Sequence, residues 1–239
     1  TDLSTYSNNG TNLGTPTLTS GKFGQAFTFD SLSDSVRVND SASLDINRSM
    51  TVSFWFKGSD QTYNHPFVAK SDGSSQLAWQ ATLATGGACN GTGFYVSEDG
   101  TSSDRVYIRH CDQHYQDNKW HHFAGVFDAG RNISLYIDGN ASGTTIVGNI
   151  TTVTGVFANN HTVYIGSRSN DTYNGSIDEV ILFARALSTQ EVLALYNASS
   201  NQYTQLFTDL SDRTYKFTGH VVNTEGSRNK TEERWVTLS

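Results

Sequence analysis

Long apolar runs are missing from this sequence. No hydrophobic segment in its 239 residues approaches the roughly 20 that a helix needs to cross a bilayer, so no membrane span is expected. The opening TDLSTYSNNG has neither a basic stretch nor an apolar core, as expected of a chain already processed or cut from a longer one. Basic residues are sparse. Sixteen Lys and Arg against 23 Asp and Glu leave a net charge of -7, and scattered cations cannot track a phosphate backbone, which removes nucleic acid from the expected partners. Proline occurs twice and methionine once. A scarcity of proline leaves central strands free to form.

What remains is rich in Ser, Thr, Gly, Asn, Tyr and Phe, a mixture that favours short strands and polar turns. Apolar runs recur at 23–29, 50–57, 76–83, 121–127, 133–138, 162–166 and 177–184, separated by Gly, Asn and Asp, and predict two stacked antiparallel sheets. A helix is expected over 188–197, where Ser188 and Glu191 form a capping box ahead of Val192, Leu193, Leu195 and Tyr196. The texture then changes. Residues 214–222 and 233–238 read as two strands of a C-terminal hairpin, and LSDRTY has the form of a tyrosine corner at Tyr215. The expected units are residues 1–198 and 199–239.

Cys89 and Cys111 flank segments 94–98 and 105–110, which read as a hairpin about DGTSSD. Antiparallel pairing draws the two cysteines together, so a disulfide and an oxidising compartment are expected. Zinc held by Cys89, Cys111, His110 and His114 is the alternative, though the spacing matches no strong metal signature. Export is also the reading of the Asn-x-Ser/Thr sites at Asn9, Asn39, Asn47, Asn90, Asn132, Asn140, Asn149, Asn160, Asn170, Asn174, Asn197 and Asn229. Chance would give roughly four or five such acceptors in this composition.

Several phrases, in order, carry a resemblance: GKFGQAFTFDSLSDSVRV (21–38), SLDINRSMTVSFWFK (43–57), KWHHFAGVFD (119–128), ISLYIDG (133–139), VYIGSR (163–168) and GSIDEVILFARALSTQEVLALYN (175–197). Together with DLSTYSNNGT (2–11) they make residues 1–198 similar to the laminin-G-like domains of the concanavalin A-type jelly-roll superfamily. The resemblance implies an all-β, two-sheet antiparallel sandwich with one short helix, usually extracellular. Members ordinarily begin with one further strand before the position of Asp2 and Leu3. The tail resembles the closing strands of immunoglobulin-like modules into which such domains are inserted in some archaeal surface proteins. The resemblance also implies a structural Ca²⁺, with Asp178 as first ligand and Asp30 and Asp2 as further ones; alternatively Asp30 and Asp34 cap turns in FDSLSDS.

Catalysis finds little support. Glycosidases on this architecture place two carboxylates on one strand face, yet no Asp or Glu pair here stands at i and i+2, and the adjacent Asp178 and Glu179 diverge on a regular strand. No G-x-S-x-G occurs, and His121 and His122 diverge likewise. Aromatic faces that could stack on sugar rings are expected at Trp79, Tyr95, Tyr107, His110 and Tyr115, with Tyr63 and His65 nearby. Two functional readings follow for a non-catalytic, glycosylated module at the cell surface. One is structural or adhesive, its partners being copies of itself or neighbouring surface-protein domains joined by strand addition into a filament or array. The other is a lectin with glycan partners. A hydrolase is the least supported.

Overall fold

The computed structural model describes residues 1–31, 33–58, 65–71, 76–84, 91–111, 115–168, 171–200, 210–218, 220–222, 228–230 and 234–238. They fall into two compact units, Thr1–Gln202 and Tyr203–Ser239. In the first, the strands are β1 (Gly10–Leu13), β2 (Thr17–Ser20), β3 (Gln25–Phe29), β4 (Ser35–Val38), β5 (Met50–Gly58), β6 (His65–Lys70), β7 (Trp79–Ala84), β8 (Gly91–Val96), β9 (Val106–His110), β10 (His121–Asp128) and β11 (Asn132–Ile137). There follow β12 (Asn140–Ala141), β13 (Thr145–Val147), β14 (Val163–Ile165), β15 (Ser167–Arg168), β16 (Asp171–Thr172), β17 (Gly175–Phe183) and the helix α1 (Thr189–Ser200). Eight strands form one sheet in the order β1-β4-β14-β6-β7-β8-β9-β13, and seven form the other, β12-β11-β10-β5-β17-β3-β2. The unit is the expected antiparallel jelly-roll sandwich.

Period-two alternation builds the core. Met50, Val52, Phe54 and Phe56 of β5 and Phe123 and Phe127 of β10 face Trp79, Ala81 and Leu83 of β7, Phe94 and Val96 of β8, and Val106 and Ile108 of β9. Phe54 stacks on Phe123 at 4.8 Å, and Phe67 packs against Phe56 and Tyr173, each at 4.7 Å. Each such ring contributes about 1.5–3 kcal/mol through burial. The sheets meet closely where Phe94 sits on Gly125: a Cβ there would stand 2.5 Å from Phe94 Cγ. Trp79 is 1% exposed within this core, which corrects its assignment as a sugar platform. It shares strand parity with Ala81 and Leu83, whose side chains point inward.

Edge strands escaped the sequence reading because β1 and β2 are exposed at every position and carry no apolar alternation. Strand β6 was missed too. Its Pro66 lies inside the sheet beside a register shift between Pro66 and Val68, where a bulge tolerates a residue that donates no ladder hydrogen bond. At the far end of β6, Lys70 is buried with Asp40 at 2.7 Å, Asp45 at 2.6 Å and the Leu44 carbonyl at 3.3 Å. A buried ammonium needs such partners, and they pin the short 3-10 turn Ala42–Leu44 to the sheet.

Helix α1 begins with the expected capping box: Ser188 N–H donates to Glu191 Oε2 (2.8 Å) and Glu191 N–H to Ser188 Oγ (3.3 Å). Val192, with Leu187 before the helix, covers Ala124, Val126 and Tyr136 on the outer side of the seven-stranded sheet. Among the described residues no helix is long and apolar enough to cross a membrane. In the second unit β18 (Thr214–Phe217) pairs with β21 (Arg234–Thr237), and β19 (His220–Val222) with β20 (Arg228–Lys230). The expected strand over 214–222 is thus divided between two ladders, while β20 forms in the segment expected to be a turn. Tyr215 donates its hydroxyl hydrogen to the Ser211 carbonyl at 2.9 Å, closing the tyrosine corner read from LSDRTY.

The contact between Phe94 and Gly125 leaves no room for a side chain. Gly125→Val is expected to lower stability by about 1–3 kcal/mol through overpacking. Urea unfolding of the two proteins checks this; equal midpoints would mean that the sheets part without cost.

Candidate ligand-binding face

Because Phe94 and Val96 point inward, Tyr95 of β8 points out; because Val106 and Ile108 point inward, Tyr107 and Arg109 of β9 point out. Register then aligns them. Gln80 of β7 faces Tyr95, Tyr95 faces Tyr107, and Tyr107 faces Val147 on the edge strand β13. In the other direction the row continues from Gln80 through Ala69 and Tyr164 to Arg37. One cross-strand row carrying three tyrosines, an arginine and an amide therefore spans the outer side of the eight-stranded sheet.

Its dense part is compact. The rings of Tyr95 and Tyr107 stack with centroids 4.8 Å apart and planes 26° apart. Arg105 lies 5.6 and 5.3 Å from the two centroids, and Arg109 5.5 and 4.7 Å. Arg109 Nε also donates to the Tyr95 hydroxyl at 2.7 Å. Tyr95 is only 6% exposed, lying over Gly93, where a Cβ would stand 2.8 Å from Tyr95 Cε2. Burial holds its hydroxyl above the ordinary tyrosine range, and the Arg109 charge only partly offsets this. Tyr107, Arg105 and Arg109 remain half-exposed and form the accessible surface. Farther along the row, Arg37 Nη2 donates to the Tyr164 hydroxyl at 3.3 Å and Arg168 Nη1 donates to Gln80 Oε1.

The structure brings together only Tyr95 and Tyr107 among the five aromatic residues expected to bind sugar. His110 takes the inward parity at the end of β9 and meets Tyr115 at 5.6 Å. Tyr115 packs on the core and, edge-on, against His121 at 5.1 Å. These two belong to a separate cluster, a correction that follows from strand parity, as for Trp79. Tyr63 lies outside the described residues. The arginines were missed although a signal existed: in RVYIRH the side chains of Arg105, Tyr107 and Arg109 recur at intervals of two, and a strand throws all three to one side.

Two of the expected calcium ligands, Asp178 and Asp2, are held by main-chain N–H groups. Asp178 Oδ2 accepts the Phe23 N–H at 3.0 Å and Oδ1 the Glu179 N–H at 2.9 Å. Asp2 accepts N–H groups of Ser4 and Asn8 at 2.8 and 2.7 Å, while Asp30 is exposed beside Asp34, which closes the turn by accepting the Asp30, Ser31 and Thr15 N–H groups. Calcium requires several converging oxygens, and the N–H groups around Asp178 and Asp2 supply none. Among the described residues no group of at least three His, Cys, Asp or Glu side chains could hold a metal. Cys111 follows β9 directly, whereas Cys89, His114, Asn90 and Asn170 lie outside the described residues. Of the remaining glycan acceptors, Asn9, Asn39, Asn47, Asn132, Asn140, Asn149, Asn160, Asn174 and Asn197 are all exposed; Asn229 lies in β20.

On the outer side of the other sheet, Ser53 Oγ and His122 Nε2 share a buried hydrogen bond of 2.9 Å. It is no triad. Asp138 accepts the main-chain N–H of His122 at 2.8 Å, and His122 Nδ1 has no partner among the described residues. Strand β17 is also irregular here, with a register shift after Asp178 and a φ of 50° at Glu179. This bulge corrects the expected divergence of the two carboxylates from a regular strand: Glu179 lines a hollow with Ser53, Trp55 and His122. His122 and its neighbour respond oppositely to pH. Burial lowers His122 to about 4. Burial opposes charge on His121 as well, but its hydrogen bonds to Asp138 (2.8 Å) and Asp117 (3.1 Å) outweigh it and raise the pKa. His121 therefore adds stability below about pH 6.5 that is lost as pH rises through its folded pKa, while His122 subtracts stability as pH falls from about 6.5 to 4. NMR titration of the ring protons is expected to show His121 above 6.5 and His122 near 4; coincident titrations would refute the assignment.

A laminin-G profile of the Concanavalin A-like lectin/glucanases superfamily matches residues 29–193, and no curated protein matches the chain. Among solved structures, the chain is similar to the binding domain of Paraclostridial mosquitocidal protein 1, with 17% identity, a TM-score of 0.67, and coverage of 96% of this chain and 60% of that one. Domain 4 of an extracellular arabinanase from Geobacillus stearothermophilus, solved with arabinotriose, gives 22%, 0.57, 77% and 82%. The ligand-binding domain of botulinum neurotoxin serotype D, solved with N-acetylneuraminic acid, gives 17%, 0.60, 81% and 47%. This chain thus spans 60% of the mosquitocidal domain and 47% of the neurotoxin domain. At these identities the likeness is one of fold.

Proposed function

Since the chain belongs to the Concanavalin A-like lectin/glucanases superfamily, we propose that its larger unit is a non-catalytic carbohydrate-binding module of an exported, glycosylated protein. The observation that carries this reading is the stacked pair Tyr95 and Tyr107 between Arg105 and Arg109. A tyrosine ring offers an apolar face to the C–H groups of a pyranose, and the guanidinium edges offer donors to its oxygens. The half-exposed Tyr107 would make the stacking contact, with the exposed Val147 beside it on the edge strand. Tyr95 is a positioning residue. The arabinanase domain solved with arabinotriose and the neurotoxin domain solved with N-acetylneuraminic acid support a saccharide as the ligand class. The exposed sequon asparagines support export, because each acceptor is accessible to a glycosyltransferase.

A glycan array probed with the full chain tests this. Saturable binding is expected, weakened about tenfold or more (about 1.4 kcal/mol) by Tyr107→Ala. An array with no response from folded protein overturns the proposal.

A second reading, self-association, has its own observation. In the smaller unit Trp235 is 63% and Phe217 46% exposed, more apolar surface than a two-stranded ladder normally leaves to water. Light scattering of the native protein is expected to show oligomers that Trp235→Ser disperses; a wild-type monomer across concentrations overturns this reading.

A further inference from the structure

We infer that the saccharide taken by this face carries a carboxylate, held between Arg105 and Arg109 beside the Tyr107 ring; the inference rests on the carbohydrate reading above. Charge is the starting point. The chain has 23 acidic against 16 basic residues, and several cations are matched by acids: Lys70 with Asp40 and Asp45, Lys119 with Asp117, and Arg185 with Glu191, whereas Arg37 rests on Tyr164. Among the described residues, Arg105 and Arg109 have no acidic partner; their guanidinium groups interact with the two tyrosines.

Strand parity also keeps acids off the surface around them. The outward positions of β7, β8, β9 and β13 are Gln80, Thr82, Gly91, Gly93, Tyr95, Tyr107, Arg109, Thr145 and Val147. Among the described residues no carboxylate neutralises the guanidiniums within this patch. Each is nevertheless ordered, since cation–π attraction holds it to the ring face without consuming the N–H edge that recognises an oxyanion. Arg109 commits only Nε, to the Tyr95 hydroxyl, and its terminal nitrogens remain for a ligand. A neutral sugar would satisfy hydroxyl contacts yet leave two half-buried cations without a counter-charge. A carboxylate supplies it, through charge-assisted hydrogen bonds about twice as strong as neutral ones.

The experiment uses the full chain and three oligosaccharides of matched length: one carrying uronic acid, the same one with its carboxyl groups reduced to alcohols, and a sulfated analogue. Calorimetry at low and high salt gives their affinities. The uronate is expected to bind at least tenfold more tightly than its reduced form, with the advantage shrinking as salt rises. Arg105→Gln is expected to bring these two sugars to the same affinity, while Arg185→Gln, an exposed arginine outside the face, leaves both unchanged. Equal binding of the uronate and its reduced form by the unmodified chain overturns the inference but preserves the carbohydrate reading. Binding of the sulfated analogue alone overturns it in favour of another oxyanion. No binding of any sugar by folded protein overturns the carbohydrate reading itself.

Discussion

The seating of Phe94 on Gly125 is the contact from which much of the molecule's outer surface follows. It brings the two sheets together at a point where no larger residue than glycine fits on β10, and so commits the side of β8 that carries Phe94 and Val96 to the core. Once that is settled, Tyr95 has nowhere to go but outward. Hydrogen-bonded register carries the same decision to β7 and β9, so that Gln80 and Tyr107 emerge in line with it. A second glycine completes the arrangement: without a side chain at Gly93, the Tyr95 ring lies down along its own strand and becomes the floor on which Tyr107 stacks.

The same sandwich disposes of charge in two ways. Where a cation must be buried, as at Lys70, two carboxylates and a carbonyl surround it, because an uncompensated charge in the interior is costly. On the outer side of the eight-stranded sheet, guanidiniums rest on aromatic faces and keep their hydrogen-bonding edges. This difference separates a cation neutralised inside the structure from one whose hydrogen-bonding edge stays open, as the proposed recognition requires. A net negative chain with a local positive aromatic face can attract an anionic ligand over short range while repelling anions elsewhere.

The other sheet directs its outer side to structure. Helix α1 covers Ala124, Val126 and Tyr136, and the Ser53 and His122 pair sits beneath it without an acid on the imidazole. Adjacent histidines on β10 show how far alternation alone can divide chemistry. His121 reaches Asp138 and Asp117 at the strand end, whereas His122 is desolvated and neutral.

The sandwich, its single helix with the Ser188 and Glu191 capping box, and the tyrosine corner at Tyr215 were legible in the amino-acid sequence, because each depends on local spacing: period two in a strand, three residues in a capping box, a few residues between Tyr215 and Ser211. Polar edge strands such as β1 and β2 were not, since nothing in their composition distinguishes an exposed strand from a loop. The aromatic residues of the site could be proposed from type alone, but type could not separate Trp79 in the core from Tyr95 outside it. Parity through β9 and the residue before it would have revealed the alternation of Arg105, Tyr107 and Arg109. By itself, then, the sequence determined which residues could share a side of one strand. Only the tertiary structure decided which side meets water and which strands lie next to each other, because both depend on packing between segments far apart in the chain.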